Sequence, residues 1–457
     1  MHEIRINTNI TNMNINYEFE TISAIATPLG IGGVGVIRIS GDKAFEIAEK
    51  IFSSKKLEAG KIHHGWILDN EQKVDEVIVL PFKNPHSYTG EDVVEIQCHG
   101  GPKVVKKILD LTLQNGARMA QKGEFTKRAF LNKKLDLSQA EAVLDIIHAK
   151  TSNFAQKSAN NLSGMLARKI KEIKDSLFLL YSRIIAAVDF PEDVKEPEYS
   201  YLIEEIEKNI KKITDILKNA NASNIMRQGI KIAIAGCPNA GKSSLFNALL
   251  NLERAIVTEI PGTTRDVIQE SLDIDGIPAT LIDTAGIRDN DEVDKVEAIG
   301  IEYTKNCVEN SDLILFLFDW SKGFDENDAL IYEMIENKPH IKIAAKSDLA
   351  EVPNPEALNI SSKTGYNIEE LKEKIKEAVL DKDAMETEFV TNRRQEECLR
   401  NAKNALSNAL IAAQNGELQD LISIDIKTAL LALDEITGEV ITDEILENIF
   451  EHFCIGK

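Results

Sequence analysis

Eight consecutive residues, Gly236-Cys237-Pro238-Asn239-Ala240-Gly241-Lys242-Ser243, constrain this chain more than any other stretch. They fit G-x-x-x-x-G-K-[ST], a loop whose backbone N–H groups cradle phosphate. The flanks supply the right context. Ile230-Lys231-Ile232-Ala233-Ile234-Ala235 alternates as a strand does, and Ser244-Leu245-Phe246-Asn247-Ala248-Leu249-Leu250 has the apolar content of a packed helix. Two glycines let the backbone approach phosphate with no Cβ in the way. Successive N–H groups and the helix N-terminus then face the anion. In such a loop Lys242 reaches the β and γ phosphates and Ser243 ligates magnesium, with Asn239, Ala240, Gly241 and Ser244 completing the cradle. A chance glycine-rich turn before a helix is the competing reading, and it does not account for the ordered flanks.

Four further signals follow in the order expected of a GTP-binding domain. Gly262-Thr263-Thr264-Arg265-Asp266 supplies a switch threonine, with Thr264 placed to ligate magnesium and sense the γ-phosphate. Asp283-Thr284-Ala285-Gly286 follows the apolar Thr280-Leu281-Ile282; Asp283 would hold the metal through its water shell, and the Gly286 N–H would meet the γ-phosphate. Ala345-Lys346-Ser347-Asp348 follows Ile341-Lys342-Ile343, and Asp348 would accept from guanine N1–H and the 2-amino group, which adenine lacks. Ser361-Ser362-Lys363 would support the base from a backbone N–H. Two departures stand out. Ala345 occupies the position of the usual Asn of Asn-Lys-x-Asp, which predicts weaker nucleotide affinity. Ile287 follows Gly286 where Ras-like sites carry a water-positioning glutamine, so another group must orient water. The acid-rich stretch Asp289–Glu297 lies nearest in sequence, and the chemistry alone does not select one acid from it.

The 457 residues suggest about two to four domains. A net charge of −21 argues against nonspecific coating of nucleic acid, which needs a basic field. Cys98, Cys237, Cys307, Cys398 and Cys454 are scattered without a C-x-x-C pair, so they read as reduced cytosolic thiols. Cys454 reads as a buried small apolar group ahead of the alternative, a catalytic thiol, since no base is legible near it. No apolar run approaches a membrane span. Residues 1–19, Asn-rich and of mixed charge, predict a frayed extension.

Residues 20–135 predict a compact α/β unit, with strands at 21–26, 34–39, 74–80 and 92–97, a helix over 42–52 and another carrying Val104, Val105, Ile108 and Leu111. Residues 136–228 turn helical. Ser138 with Glu141 fits a capping box, Ala140, Val143, Leu144 and Ile147 make one face, and Leu162, Leu166, Ile170, Ile173, Leu177, Leu180 and Ile184 form a seam read as one bundle helix. Residues 229–380 alternate strand and helix. Residues 381–457 turn helical again, with stripes at Leu399, Ala402, Leu406, Leu410 and at Leu430, Leu431, Leu433, Ile436. The simplest arrangement is one helical domain built from both flanks with the nucleotide domain inserted between them.

Several blocks far apart carry a family resemblance. They are Ala26-Thr27-Pro28-Leu29-Gly30 with Gly32-Gly33-Val34-Gly35, Ser87-Tyr88-Thr89-Gly90-Glu91-Asp92-Val93-Val94-Glu95, Gly123-Glu124-Phe125-Thr126-Lys127-Arg128-Ala129-Phe130-Leu131-Asn132, Lys134-Leu135-Asp136-Leu137, the phosphate loop, and Phe453-Cys454-Ile455-Gly456-Lys457. With them the chain resembles the MnmE (TrmE) family of tRNA-modification GTPases over about residues 20–457. The resemblance implies a multidomain α/β plus α fold: an N-terminal α/β domain that binds a formyl-tetrahydrofolate-type cofactor and dimerises, a helical bundle domain, and an inserted Ras-like P-loop GTPase domain. It places the folate contacts on Arg38, Glu95, Lys134 and Lys457. Without the family, Arg38 reads as an edge charge on a strand and Lys134 as a solvated one. The family's usual Arg before Gly32-Gly33 is Ile31 here.

The resemblance also accounts for the missing glutamine. It implies GTPase activation by dimerising G domains in potassium, with Asn239, Thr258, Ile260 and Thr263 around the ion. The loop Thr258-Glu259-Ile260-Pro261-Gly262-Thr263-Thr264 would line the nucleotide, and Glu297 would be the catalytic acid that orients water. The implied activity is GTP hydrolysis coupled to adding a carboxymethylaminomethyl-type group at C5 of the wobble uridine of certain tRNAs, using a 5-formyl-tetrahydrofolate or related one-carbon unit. The implied partners are GTP, tRNA, a second copy of the chain, and the FAD-dependent MnmG in a heterotetramer-type complex, with no membrane and a cytoplasmic setting. A regulatory switch GTPase, such as a ribosome-assembly factor, is the alternative that the GTPase motifs alone leave open.

Overall fold

The computed structural model describes residues 20–54, 56–218, 220–252, 269–283, 310–380 and 388–457. The expected extension over 1–19 lies outside them. The chain divides into two compact units. One holds residues up to Leu144 with Ala167–Lys174 and Lys427–Lys457; the other holds Asp145–Leu166 and Asp175–Ile426.

In chain order the first elements are β1 (Ile22–Ile25), β2 (Gly32–Ser40), α1 (Ala44–Ile51), β3 (His63–Asp69), β4 (Gln72–Phe82), β5 (Val93–Gly100), α2 (Pro102–Gln114), β6 (Arg118–Met119) and α3 (Glu124–Leu131). Their sheet runs β3-β4-β5-β2-β1-β6 and is antiparallel except for the β1–β6 pair. Strand alternation sends Ile37, Ile39, Val77, Val79, Val94 and Ile96 toward Ile47, Ile51, Val105 and Ile108 of α1 and α2. The expected strands and the first two helices are present. β3, β6 and α3 were not anticipated. β3 opens His63-His64-Gly65 and is only partly buried, β6 has two residues, and α3 buries Glu124 and Arg128 on the face that would ordinarily be apolar.

That polar burial fixes the loop between β4 and β5. Arg128 is 1% exposed and donates to both oxygens of Glu91 at 3.2 and 3.1 Å and to Glu124 at 2.8 Å. Glu91 in turn accepts from the Ser40 hydroxyl at 2.6 Å, and Asn132 donates to the Thr89 carbonyl at 2.8 Å. Burial disfavours the Glu124 carboxylate, but bonds from Arg118, the Gln121 N–H and Arg128 outweigh it and hold the group below its usual range.

The helices that follow are α4 (Leu137–His148), α5 (Ser152–Leu162), α6 (Met165–Asp189), α7 (Tyr199–Leu217) and α8 (Ala220–Gln228). Three expectations are corrected here. The capping box of α4 is Asp136 with Gln139, not Ser138 with Glu141: the Gln139 N–H donates to Asp136 Oδ1 at 3.0 Å and the Asp136 N–H to Gln139 Oε1 at 2.9 Å. Ser138 only braces that cap, donating to Asp136 at 2.6 Å, and Ile147 is exposed rather than on a buried face. The seam from Leu162 to Ile184 is not one helix, because Gly164 at φ +84° breaks it and α6 starts afresh.

The second unit then carries β7 (Ile230–Gly236), α9 (Lys242–Leu252), β8 (Gln269–Ile274), β9 (Ile277–Asp283), β10 (Leu313–Asp319), α10 (Glu326–Ile335), β11 (His340–Ala345), a 3-10 turn (Ser347–Leu349), β12 (Leu358–Asn359) and α11 (Ile368–Val379). The sheet order is β12-β11-β10-β7-β9-β8, parallel except at β8. β7 sits where the order reverses, the position at whose carboxyl end such sheets bind ligands. The chain closes with α12 (Arg393–Gln414), α13 (Gln419–Thr437) and α14 (Asp443–Glu451). Along α13 the buried stripe is Ile422, Ile426, Ala429, Leu433 and Ile436, so Leu430 and Leu431 sit one step off the expected face. Segments on either side of the sheet in sequence meet: α7 packs on α12, Asn161 donates to the Val390 carbonyl at 2.6 Å, and the Thr391 N–H donates to Ser223 Oγ at 3.1 Å. No described helix is long and apolar enough to cross a membrane.

Arg128→Ala leaves the half-buried Glu91 without its cation and Glu124 with Arg118 alone, and is expected to cost the first unit about 3–5 kcal/mol. Urea unfolding of the full chain, followed by Trp66 fluorescence in a Trp320→Phe background, measures it. Because the Glu124 carboxyl is held low, its contribution is full above the ordinary carboxylate range and is lost as pH falls below that range. The Arg128→Ala deficit should therefore shrink on acidification.

Candidate functional site

The phosphate loop begins where β7 runs against β10. Gly236 has φ +151°, and a Cβ there would stand 2.0 Å from the Leu317 carbonyl oxygen, so only glycine fits. Asn239 turns the loop at φ +65°. Gly241, at φ +107°, meets nothing nearer than the Ala345 Cβ at 3.9 Å, so glycine is required there for conformation rather than for space. Lys242 opens α9 and folds back over the loop, donating to the Gly236 carbonyl at 2.8 Å and the Cys237 carbonyl at 2.9 Å. The backbone N–H groups of Asn239, Gly241 and Ser243 find no partner among the described residues. Ser243 and Ser244 are exposed, and Ala240 is buried beneath the loop. Unpaired N–H groups at a helix N-terminus, with an ammonium beside them, form an anion site.

The same edge of the sheet carries the base motif. β11 ends at Ala345, and Lys346 adopts φ +58° as the chain turns. Lys346 Nζ donates to Asp319 Oδ2 at 2.7 Å. Burial opposes the Asp319 charge, but Lys346 and the Ser321 hydroxyl outweigh it and lower its pKa. Asp348 is exposed on the 3-10 turn, held there because the Ser347 N–H donates to the Ile360 carbonyl at 3.0 Å. Ser361 is buried and spends its N–H on the Tyr366 carbonyl at 3.2 Å. The Ser362 N–H is without a partner among the described residues, and Lys363 is exposed. Asp283 closes β9 beside β7, in register with Ile234; its side chain, with Thr258, Glu259, Ile260, Pro261, Gly262, Thr263, Thr264, Thr284, Ala285, Gly286 and Glu297, lies outside the described residues.

The first unit holds a second constellation. Arg38 of β2 and Glu95 of β5 are directly opposed in register and paired at 2.8 Å. β2 lies inside the sheet, so Arg38 is not an edge charge. Its guanidinium lies over the Tyr88 and Phe125 rings at 5.0 and 5.5 Å and donates to the Gly456 carbonyl at 3.2 Å. A cavity of about 260 Å³ opens beside it, lined by Phe82, His86, Ser87, Tyr88, Val93 and Glu95. Burial pushes the Tyr88 phenol up, while its bond with the Thr126 hydroxyl at 2.8 Å and the nearby Arg38 oppose the rise. Lys134 is exposed, as expected, and donates to the Pro85 carbonyl at 3.0 Å on the loop that carries His86–Tyr88.

The last residues complete this wall. Ile455 bridges Lys122, the Phe125 N–H donates to the Lys457 backbone oxygen at 3.2 Å, and a Cβ on Gly456 would meet the Ile25 oxygen at 2.2 Å. Cys454 is exposed, which corrects the expectation of a buried apolar group. Phe82, His86, Ser87, Tyr88, Val93 and Phe125 were not singled out as site residues from the sequence. Two of the sequence blocks contain Ser87, Tyr88 and Phe125, and that placement was the available signal.

Comparison with known proteins gives matches along nearly the whole chain. Residues 21–134 match the family described as "GTP-binding protein TrmE N-terminus", and residues 137–454 match "MnmE helical domain". The chain is 44% identical over 460 residues to the "tRNA modification GTPase MnmE" of Thermoanaerobacter pseudethanolicus, covering 96% of this chain and 100% of that protein. It is 44% identical to the protein of the same name from Clostridioides difficile, at 96% and 99% coverage, and 42% identical to that of Thermotoga maritima, at 96% and 100%. Matches of this identity along both chains leave one conclusion: the chain belongs to the MnmE family of tRNA modification GTPases.

Proposed function

We propose that the chain hydrolyses GTP in the service of tRNA wobble-uridine modification, adding a carboxymethylaminomethyl-type group at C5 together with the FAD-dependent MnmG. In this reading residues 20–135 form a folate-binding and dimerising domain, 136–228 and 381–457 a helical domain, and 229–380 an inserted G domain, all in the cytoplasm. The observation that carries it is the phosphate loop and the guanine-reading turn on one edge of a single sheet, in a chain with full-length likeness to the family.

Each described residue then has a task. The backbone N–H groups of Asn239, Gly241 and Ser243 donate to the β-phosphate. Lys242 exchanges its two carbonyl partners for phosphate oxygens. The exposed Ser243 hydroxyl, which has no partner among the described residues, suits a magnesium ligand, with Thr264 as the second and Asp283 acting through water. Asp348 selects guanine by accepting from N1–H and the 2-amino group, and the Ser362 N–H meets the base carbonyl. Glu297 orients the attacking water, and the Gly286 N–H meets the γ-phosphate. Asn239, with Thr258, Ile260 and Thr263, would hold potassium, whose charge offsets the negative charge that develops on the transferring phosphoryl group. In the first unit the cavity beside Arg38 suits a pterin: Glu95 accepts from its N–H groups, Tyr88 and Phe82 flank it, and Lys134 and Lys457 face its anionic end. A bound formyl- or methylene-tetrahydrofolate supplies the one-carbon unit.

GTP turnover by the full chain should be much faster in potassium chloride than in sodium chloride at equal ionic strength, and Glu297→Ala should abolish the difference. Equal rates in the two salts would move weight to a switch GTPase awaiting an external activator. Because Ala345 Cβ faces Gly241, an amide placed there can tie the base turn to the phosphate loop. Ala345→Asn should therefore tighten GTP binding by about 2- to 10-fold, one hydrogen bond's worth; unchanged affinity by titration calorimetry contradicts it. Lys134→Gln, at an exposed position, should weaken 5-formyl-tetrahydrofolate binding at least about tenfold in equilibrium dialysis, as the loss of one charge-assisted bond predicts.

A further inference from the structure

Cys237, the second residue of the phosphate loop, lies beside the N-terminus of α10. Asp325 caps that helix, its Oδ1 accepting from the Asn327 and Asp328 N–H groups at 2.9 Å each. Asp328 answers through Oδ2, which accepts from the Asp325 N–H at 3.4 Å. This reciprocal cap uses one oxygen of each carboxylate. Asp328 is only 4% exposed, and among the described residues no backbone or side-chain N–H or O–H group donates to its Oδ1; the Cys237 thiol is the polar hydrogen beside this carboxylate. Ligand atoms from Cys237, Asp325 and Asp328 lie within 4.8 Å of one another. No cationic side chain among the described residues forms an ion pair with either aspartate.

A buried carboxylate oxygen without a partner costs free energy unless something fills its lone pairs. Here a second carboxylate and a thiol bring ligand atoms within 4.8 Å of one on Asp328. We infer that Cys237, Asp325 and Asp328 form a site for a borderline-soft divalent metal ion of the zinc type. One sulfur and two carboxylate oxygens supply three ligands, and water completes a tetrahedron. The sulfur disfavours magnesium and calcium, which take all-oxygen shells. On binding, the thiol proton leaves to solvent and the thiolate sulfur takes the metal.

The site would act on the phosphate loop directly. The Cys237 carbonyl accepts from Lys242 Nζ at 2.9 Å and from the Ala240 N–H at 3.2 Å. A metal gripping Sγ fixes the peptide that positions Lys242, so metal occupancy and anion binding become linked. The site itself does not depend on the proposed reaction.

Cobalt(II) titration of the full chain without nucleotide provides the test, because a cobalt–thiolate bond gives its own charge-transfer absorption. The expected result is one cobalt per chain with that absorption, reversed by zinc, retained in Cys454→Ser, lost in Cys237→Ser, and weakened at least about tenfold in Asp328→Asn. Cobalt binding without thiolate absorption, an absorption that survives Cys237→Ser, or no binding would each overturn the proposal. Asp325→Asn, at an exposed position, repeats the test should Asp328→Asn fail to fold.

Discussion

The Leu317 carbonyl stands 2.0 Å from where a side chain on Gly236 would begin. This close approach of β10 to the end of β7 is the constraint on which the nucleotide site depends. The two strands must pair in parallel up to Gly236 itself, which is partnered with Leu317, and then separate at once so that the loop can lift away. Any Cβ at 236 would hold them apart. The loop would then start in another direction, and α9 would present its N-terminus elsewhere. The β10–β11 pairing, which carries Asp319 and the Ala345 turn, continues from the same strand. The phosphate loop and the turn after Ala345 are thus set against one frame.

The first unit depends on a different kind of constraint. Its pocket wall is polar and buried together: Arg38 with Glu95 across two central strands, and Arg128 with Glu91 and Glu124 behind them. Buried ion pairs are weak sources of net stability, because desolvation cancels much of their attraction. They define geometry instead. Arg128 can satisfy Glu91 and Glu124 only when the loop after β4 and helix α3 are in one arrangement. That arrangement places His86, Ser87 and Tyr88 at the mouth of the cavity. The aromatic faces over Arg38 close its remaining directions.

Legibility in the sequence followed the same division. Where local rules decide, the reading held: strand, loop and helix around Gly236–Ser243 appear as the pattern predicts, as do the buried strands β1, β2, β4 and β5. Where a side chain's partner is distant in sequence, or a neighbouring residue decides the local conformation, pattern misled. Arg38 looked like an edge charge because its role depends on Glu95, 57 residues away. Ser138 looked like a cap because Asp136, two residues earlier, was the better one. The Leu162–Ile184 seam kept its apolar period across Gly164, and period alone cannot register a left-handed residue. β6 could not be read at all, since a two-residue strand has no period.

Lys242 shows how the loop holds its own cation in place. Its ammonium is already held by the Gly236 and Cys237 carbonyls, both in the loop that would bind the ligand. Those bonds must be given up or shared when phosphate enters, which lowers the gross gain from the new contact. They also keep the long side chain from sampling its other rotamers, an ordering cost of about 2 kcal/mol that binding then need not meet. The exchange is favourable because a phosphate oxygen carries formal charge and a carbonyl does not, so the incoming bond is the stronger one. The loop's own carbonyls therefore act as a placeholder: they hold the cation in position while leaving it available to a more negative acceptor.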